Sequence, residues 1–218
     1  ALLRERMGAL SADALLAEHV KAIASVPLNN QPGALWRYSS SFDVLGRVIE
    51  VVSGKTLDVF LRERIFAPLG MNDTSFTVPA EKRARIAVLY STGRDGALAK
   101  ANGQPNPARK MLSGGGGLFS TAGDYVRFCQ MLANGGELEG RRLLSRKSVE
   151  LMATRHVDAI PLSFLVGQHY GLGVAGQADG GDSGLLVAPG TEGGSGAYNT
   201  YFRIDPKEKL VLVLMVQQ

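Results

Sequence analysis

The chain has 218 residues, 45% of them hydrophobic and 20% charged, with a formal net charge of +4. That length supports one sizeable domain with a real core, and the basic residues form no dense block: Arg83-Ala84-Arg85 and Arg141-Arg142 are short and isolated, which favours solvated surface over a nucleic-acid footprint. The single cysteine, Cys129, excludes an internal disulfide and a cysteine-based zinc cluster, and no apolar run reaches the roughly 18 residues needed to span a bilayer.

Residues 11–26 read as a helix opening at Ser11, with Leu15, Val20 and Ile23 on its apolar side. Asn29 to Gly33 is a turn-rich approach to the run Trp36-Arg37-Tyr38-Ser39-Ser40-Ser41-Phe42. A helix over 41–52 follows, capped by Ser41 or a neighbour. Phe42, Leu45, Ile49 and Val52 are expected on its buried face, and Ser53-Gly54 ends it. Thr56 can cap the next helix, which carries Leu57, Phe60, Leu61 and Ile65 and stops at Pro68-Leu69-Gly70. Residues 71–112 read as irregular with a few short strands.

The glycine run 114–117 leads to a helix over 122–134, capped at Ser120 or Thr121 and closed by Asn134-Gly135-Gly136. Ser145 caps another helix through Met152, with Cys129 read as a buried, inert thiol in the helix before it. Residues 153–168 read as an insertion or lid-like loop, and Tyr170 to Val174 as a strand. Ala197 to Ile204 and Leu210 to Val216 form a closing hairpin around Asp205-Pro206-Lys207-Glu208. The last strand is almost wholly apolar, so it is expected inside a sheet, buried on both faces.

Three motifs mislead. Ser53-Gly54-Lys55-Thr56 holds the tail of a phosphate-binding loop, but Ile49 stands where the loop needs its first glycine and a helix precedes it. Gly171-Leu172-Gly173-Val174-Ala175-Gly176 matches GxGxxG without the strand–helix–strand frame, so a glycine-rich strand is the better reading. Asn72-Asp73-Thr74 fits a glycosylation sequon, which without evidence of a secretory route reads as a chance match. His19, His156 and His169 have no metal-ligand spacing, and neither a metal nor a cofactor is expected.

Tyr38 stands where an extended segment turns into a helix, a place that can hold a phenol at the mouth of a cleft. A phenol is a poor base in water, with a pKa near 10, and a neighbouring cation makes it useful for proton transfer. Local sequence alone favours a buried tyrosine with a satisfied hydroxyl; the rest of the chain reverses that preference.

The ordered set Trp36-Arg37-Tyr38-Ser39, Leu45 to Gly54, Ile65-Phe66-Ala67-Pro68-Leu69-Gly70-Met71-Asn72-Asp73-Thr74, Gly114 to Ala122, and Gly196-Ala197-Tyr198-Asn199-Thr200 leading to Ile204-Asp205-Pro206 resembles the serine β-lactamase/penicillin-binding superfamily. The resemblance is closest to its esterase and class C-like branches and covers nearly the whole chain. It implies an α/β (α+β) fold with helices packed on an antiparallel sheet, here incomplete, as a single partial domain over 1–218.

The resemblance also implies acyl transfer by a Ser-x-x-Lys nucleophile, with a tyrosine shuttling the proton and backbone N–H groups holding the oxyanion. It assigns Tyr38 the catalytic tyrosine's role. Ser40 takes the place of the family's Asn, a departure toward the esterases. The third element falls at Gly194-Ser195-Gly196, with the N–H of Ala197 as half of the oxyanion hole. Glu192-Gly193-Gly194 is the competing register, and a plain turn leading into the strand is the structural alternative. Gly194 offers no side chain where the family carries Lys, His or Trp, which weakens the case for a β-lactam carboxylate.

No serine in the chain has Lys three residues later. The resemblance places that helix well upstream of the tyrosine, so the sequence is expected to be truncated at both ends and inactive alone. The expected partner is a small-molecule ester or amide, with no nucleic acid and no membrane span. A second chain or self-association could supply missing strands. A non-catalytic binding or assembly module, and a β-lactamase or D-aminopeptidase, stay open as alternatives, as does the compartment.

Overall fold

A computed structural model describes residues 2–11, 13–34, 36–157, 168–177 and 187–218. The insertion expected at 153–168 lies mostly outside them, and the glycine cluster at 180–184 wholly so. The chain divides into two compact units, the first comprising Ala1–Ala67, Asp73–Ile86 and Asn106–Ser120, the second Pro68–Asn72, Ala87–Pro105 and Thr121–Gln218.

The first unit is helical. It opens with α1 (Leu2–Gly8), which the sequence reading did not anticipate, and α2 (Leu16–Ala24). The second helix starts five residues later than expected, and there the Glu18 carboxylate reaches back to accept the N–H of Leu15 at 2.8 Å. Next comes α3 (Ser41–Ser53), ended as expected by Gly54 at φ +67°. After Thr56, α4 (Leu57–Leu61) relaxes into a single π-helical turn over Arg62–Phe66 just before Pro68. Leu16, Leu57, Phe76 and Met111 form the buried cluster, with Val20, Ile49, Leu61 and Leu112 packed against it.

The buried face of α3 is not the one its apolar spacing suggested. Gly46 turns inward, where a Cβ would meet Leu57 at 3.0 Å and Leu16 at 3.3 Å. That contact rotates the helix so that Ile49 and Glu50 face the unit's interior. Phe42, Leu45 and Val52 are left 38%, 51% and 82% exposed. Close approach at one glycine outweighs the pull of three apolar side chains.

In the second unit β1 (Tyr90–Thr92) and β2 (Leu98–Lys100) form a hairpin. Then α5 (Ala122–Ala133) begins at Thr121, whose hydroxyl accepts the Asp124 N–H at 3.1 Å. A small hairpin of β3 (Glu137–Leu138) and β4 (Arg141–Arg142) leads to α6 (Arg146–Ala153), capped by Ser145 through the Ser148 N–H. Arg127 on α5 braces this region. It donates to the Leu69 carbonyl and makes two bonds to Glu139, at 3.0 and 2.6 Å. Cys129 is fully buried and burial pushes its thiol up to about 12, so it is an inert core residue.

The main sheet holds β5 (Gln168–Tyr170), β6 (Ala175–Gln177), β7 (Glu192–Ser195), β8 (Thr200–Asp205) and β9 (Leu210–Met215), antiparallel throughout and in that spatial order. The stretch 170–174 is therefore mostly a hairpin turn, and the GxGxxG match runs through that turn into β6. Helix α5 covers β8 and β9, with Tyr125 edge-on to Phe202 at 5.4 Å between centroids.

Strand β9 corrects a second expectation. It lies at an edge of the described sheet and is covered on one face only. Leu210, Leu212, Leu214 and Val216 are 47–61% exposed on the other. Its alternating burial follows from α5 packing on one side.

Candidate active site

Tyr38 sits three residues before α3, on a segment pinned by the Arg37 guanidinium donating to the Asn30 side-chain oxygen at 2.8 Å. The tyrosine is 77% exposed, so it is not a core phenol. Ser40 is the N-cap residue of α3, and its carbonyl accepts the N–H groups of Asp43 at 3.1 Å and Val44 at 3.2 Å. The Ser40 hydroxyl makes no capping bond to the helix. Helix geometry thus brings Tyr38 and Ser40 into one turn of the first unit.

That turn is backed by the glycine run. The Ser113 hydroxyl donates to Asp43 Oδ1 at 2.7 Å, and the Gly115 N–H donates to the same oxygen at 3.3 Å. Between them, Gly114 lies so close that a Cβ would stand 2.2 Å from the Phe42 carbonyl oxygen. Only glycine permits that approach of two backbones.

Gly194, Ser195, Gly196 and Ala197 belong to the second unit, at the end of β7. Gly194 pairs with Phe202 and Ser195 with Tyr201. The ladder from Glu192 to Ser195 against Tyr201 to Ile204 is regular. Gly196 N–H then donates to the Thr200 carbonyl at 2.8 Å and closes a turn in which Asn199 adopts φ +54°. Ala197 is exposed on this turn, whereas the sequence reading began the strand there. The turn exists because four residues must reverse the chain between β7 and β8, and Asn tolerates the left-handed position.

Glu192, not singled out as a site residue on chemical grounds, is half-buried on β7 and burial raises its carboxyl to about 7. The folded state holds a proton that the unfolded chain, with an ordinary carboxyl near 4.5, releases. Its contribution to stability is complete below pH 4.5 and is lost as the pH rises through about 7. Urea titrations across that window should therefore show stability falling with pH. Glu192→Gln should flatten the dependence; an unchanged slope in the variant would assign it to other groups.

The described residues contain no cluster of His, Cys, Asp and Glu suited to a metal ion, and no helix among them is long and apolar enough to cross a membrane.

The Beta-lactamase family model matches residues 2–218. The chain belongs to the β-lactamase family. Protein Rv1367c of Mycobacterium tuberculosis is 36% identical to this β-lactamase-family chain over 209 residues, 90% of the chain and 52% of that protein. Lovastatin esterase of Penicillium rubens is 37% identical over 145 residues, 63% of the chain and 35% of the esterase. Among solved structures, EstCE1, a hydrolase with promiscuous acyltransferase activity, superposes with a TM-score of 0.79 at 24% identity, covering 94% of this chain and 57% of EstCE1. The β-lactamase-family chain spans about half the length of Rv1367c and about a third of lovastatin esterase. The mixed arrangement of helices on an antiparallel sheet expected from the sequence is the one observed, and it is the family's fold.

Proposed function

We propose that the whole protein carrying this chain is a serine hydrolase that transfers acyl groups from carboxylic esters. Tyr38 takes the proton from the nucleophile and returns it to the leaving group. The edge of β7 at Gly194–Gly196 lines the acyl site, and the Ala197 N–H supplies half of an oxyanion hole. The nucleophilic serine and its lysine come from outside these 218 residues. The observation that carries the reading is the exposed phenol of Tyr38 at the head of α3 in a chain of this family. The regular ladder through Glu192–Ser195 supports the Gly194-Ser195-Gly196 register, because the competing one needs a two-residue bulge.

Esters are favoured over β-lactams because Gly194 presents no cation to a carboxylate. The likeness to an esterase from Penicillium rubens points the same way. Assays of the whole protein with p-nitrophenyl acetate and nitrocefin test the proposal: an acyl-enzyme burst with the ester is expected, and no burst with either substrate would remove it. The 218-residue chain alone is expected to turn over neither.

A non-catalytic binding or assembly module is the second reading, favoured by the lack of any Ser-x-x-Lys in this sequence. A Ser-x-x-Lys upstream in the same reading frame decides for the enzyme. Under either reading, the exposed leucine row of β9 invites pairing with a second copy or another chain. Light scattering of the isolated chain should show mass rising with concentration, and Leu212→Lys with Leu214→Lys should suppress the rise. A constant monomer mass for the unaltered chain would dismiss self-association.

A further inference from the structure

Asp43 has no part in the proton transfer proposed above, yet its carboxylate joins two segments 70 residues apart. We propose that Asp43 is a positioning residue: by fastening the 113–115 loop onto the first turn of α3, it fixes where the backbone carries Tyr38.

Five contacts support this. The Ser113 hydroxyl and the Gly115 N–H converge on Asp43 Oδ1 at 2.7 and 3.3 Å. Gly114, between them, is pressed against the Phe42 carbonyl. A Cβ on Gly46, one helical turn on, would stand 3.7 Å from the Gly114 Cα, so the loop follows the helix rather than touching it at one point. Finally, the Asp43 N–H donates to the Ser40 carbonyl, two residues after Tyr38.

The arrangement compensates for a missing latch. A serine at the N-cap ordinarily bonds through its hydroxyl to the second or third helical N–H and stops the first turn from fraying. Ser40 makes no such bond. The Asp43 carboxylate instead turns to the loop, where its Oδ1 accepts both the Ser113 hydroxyl and the Gly115 N–H. The first turn is therefore held from outside, by a loop anchored through one side chain. A freed first turn would let the segment from Trp36 to Ser40 wander, and a misplacement on the order of 1 Å at a reacting group can cost about 10²-fold in rate.

The role in catalysis rests on the functional reading given above, but the clamp itself can be tested without it. Trp36 is the sole tryptophan of the chain and lies two residues before Tyr38, so its emission reports on this segment. In the 218-residue chain, Asp43→Ala should shift the Trp36 emission and speed hydrogen exchange at the Gly115 amide. Asp43→Asn, which keeps an acceptor oxygen, should restore most of both, and Ser113→Ala should fall between. Emission and exchange unchanged in Asp43→Ala would overturn the proposal. If Asp43→Ala fails to fold, Ser113→Ala with no change in either readout overturns it equally.

In the whole protein, Asp43→Ala should lower kcat for p-nitrophenyl acetate about tenfold or more with KM unchanged, and Asp43→Asn should recover it. Should Tyr38→Phe lower kcat while Asp43→Ala does not, the positioning role is wrong and the functional reading survives. Should Tyr38→Phe leave kcat untouched, the functional reading is wrong, and the clamp stands or falls on emission and exchange.

Discussion

Tyr38→Phe is expected to lower kcat for ester hydrolysis by the whole protein by about 10²–10⁴-fold, the usual share of a positioned acid–base group. The loss should appear equally in kcat and kcat/KM, because removing the hydroxyl takes away a proton transfer and leaves the ring in place. Stability should hardly change. The ring is 77% exposed, so the hydroxyl is not a buried group whose loss leaves a partner stranded. Steady-state kinetics beside a thermal melt checks both halves. A variant within about twofold of the parent kcat would strip Tyr38 of its role. The same experiment separates the enzyme from the binding-module reading, since a module has no turnover to lose.

The largest effect on stability is expected at Gly136. It follows α5 with φ +96°, and a Cβ there would stand 2.2 Å from the Leu144 carbonyl oxygen. Its own backbone is fully used: the N–H donates to Met131 at 2.8 Å, and the carbonyl accepts Leu143 at 2.9 Å and Leu144 at 3.2 Å. Gly136→Ala therefore meets a left-handed backbone and a backbone atom that cannot step aside, and should cost about 3 kcal/mol or more. Gly140→Ala is the control. It shares a positive φ of +77°, but nothing lies within 4 Å of the added Cβ. It should cost only about 1–2 kcal/mol of backbone strain. Urea midpoints of the two variants measure the difference, and equal losses would mean that contact with Leu144 contributes nothing.

Helix ends were the most legible part of the sequence. Thr121, Ser145 and Gly54 mark the boundaries of α5, α6 and α3 because capping is a local bond between a side chain or a left-handed residue and the nearest turn. The Asp205 turn was legible for the same reason: its carboxylate accepts the N–H groups of Lys207 and Glu208, both at 3.0 Å. What depended on distant partners was read less well. The orientation of α3 was set by Gly46 meeting Leu16 and Leu57, and the one-sided burial of β9 by α5. Tyr38 is exposed, where its local sequence alone favours a buried phenol. The Asp43 clamp was invisible, because its partners at 113–115 stand 70 residues away and no spacing rule connects them. In the sequence Glu192 is only the edge of a glycine motif; its raised carboxyl arises from burial in the folded sheet.

The apolar surface that α3 leaves exposed has a calorimetric consequence. Val44, Leu45, Val48, Val51 and Val52 already meet water in the native state, at 36–82% exposure, as does the leucine row of β9. Heat capacity rises on unfolding mainly because apolar groups become newly hydrated, and these residues have less hydration left to gain than buried ones. The isolated chain should thus have a heat-capacity increment per residue below the usual 12–15 cal/mol/K or so, a shallow dome of stability against temperature, and weak susceptibility to cold.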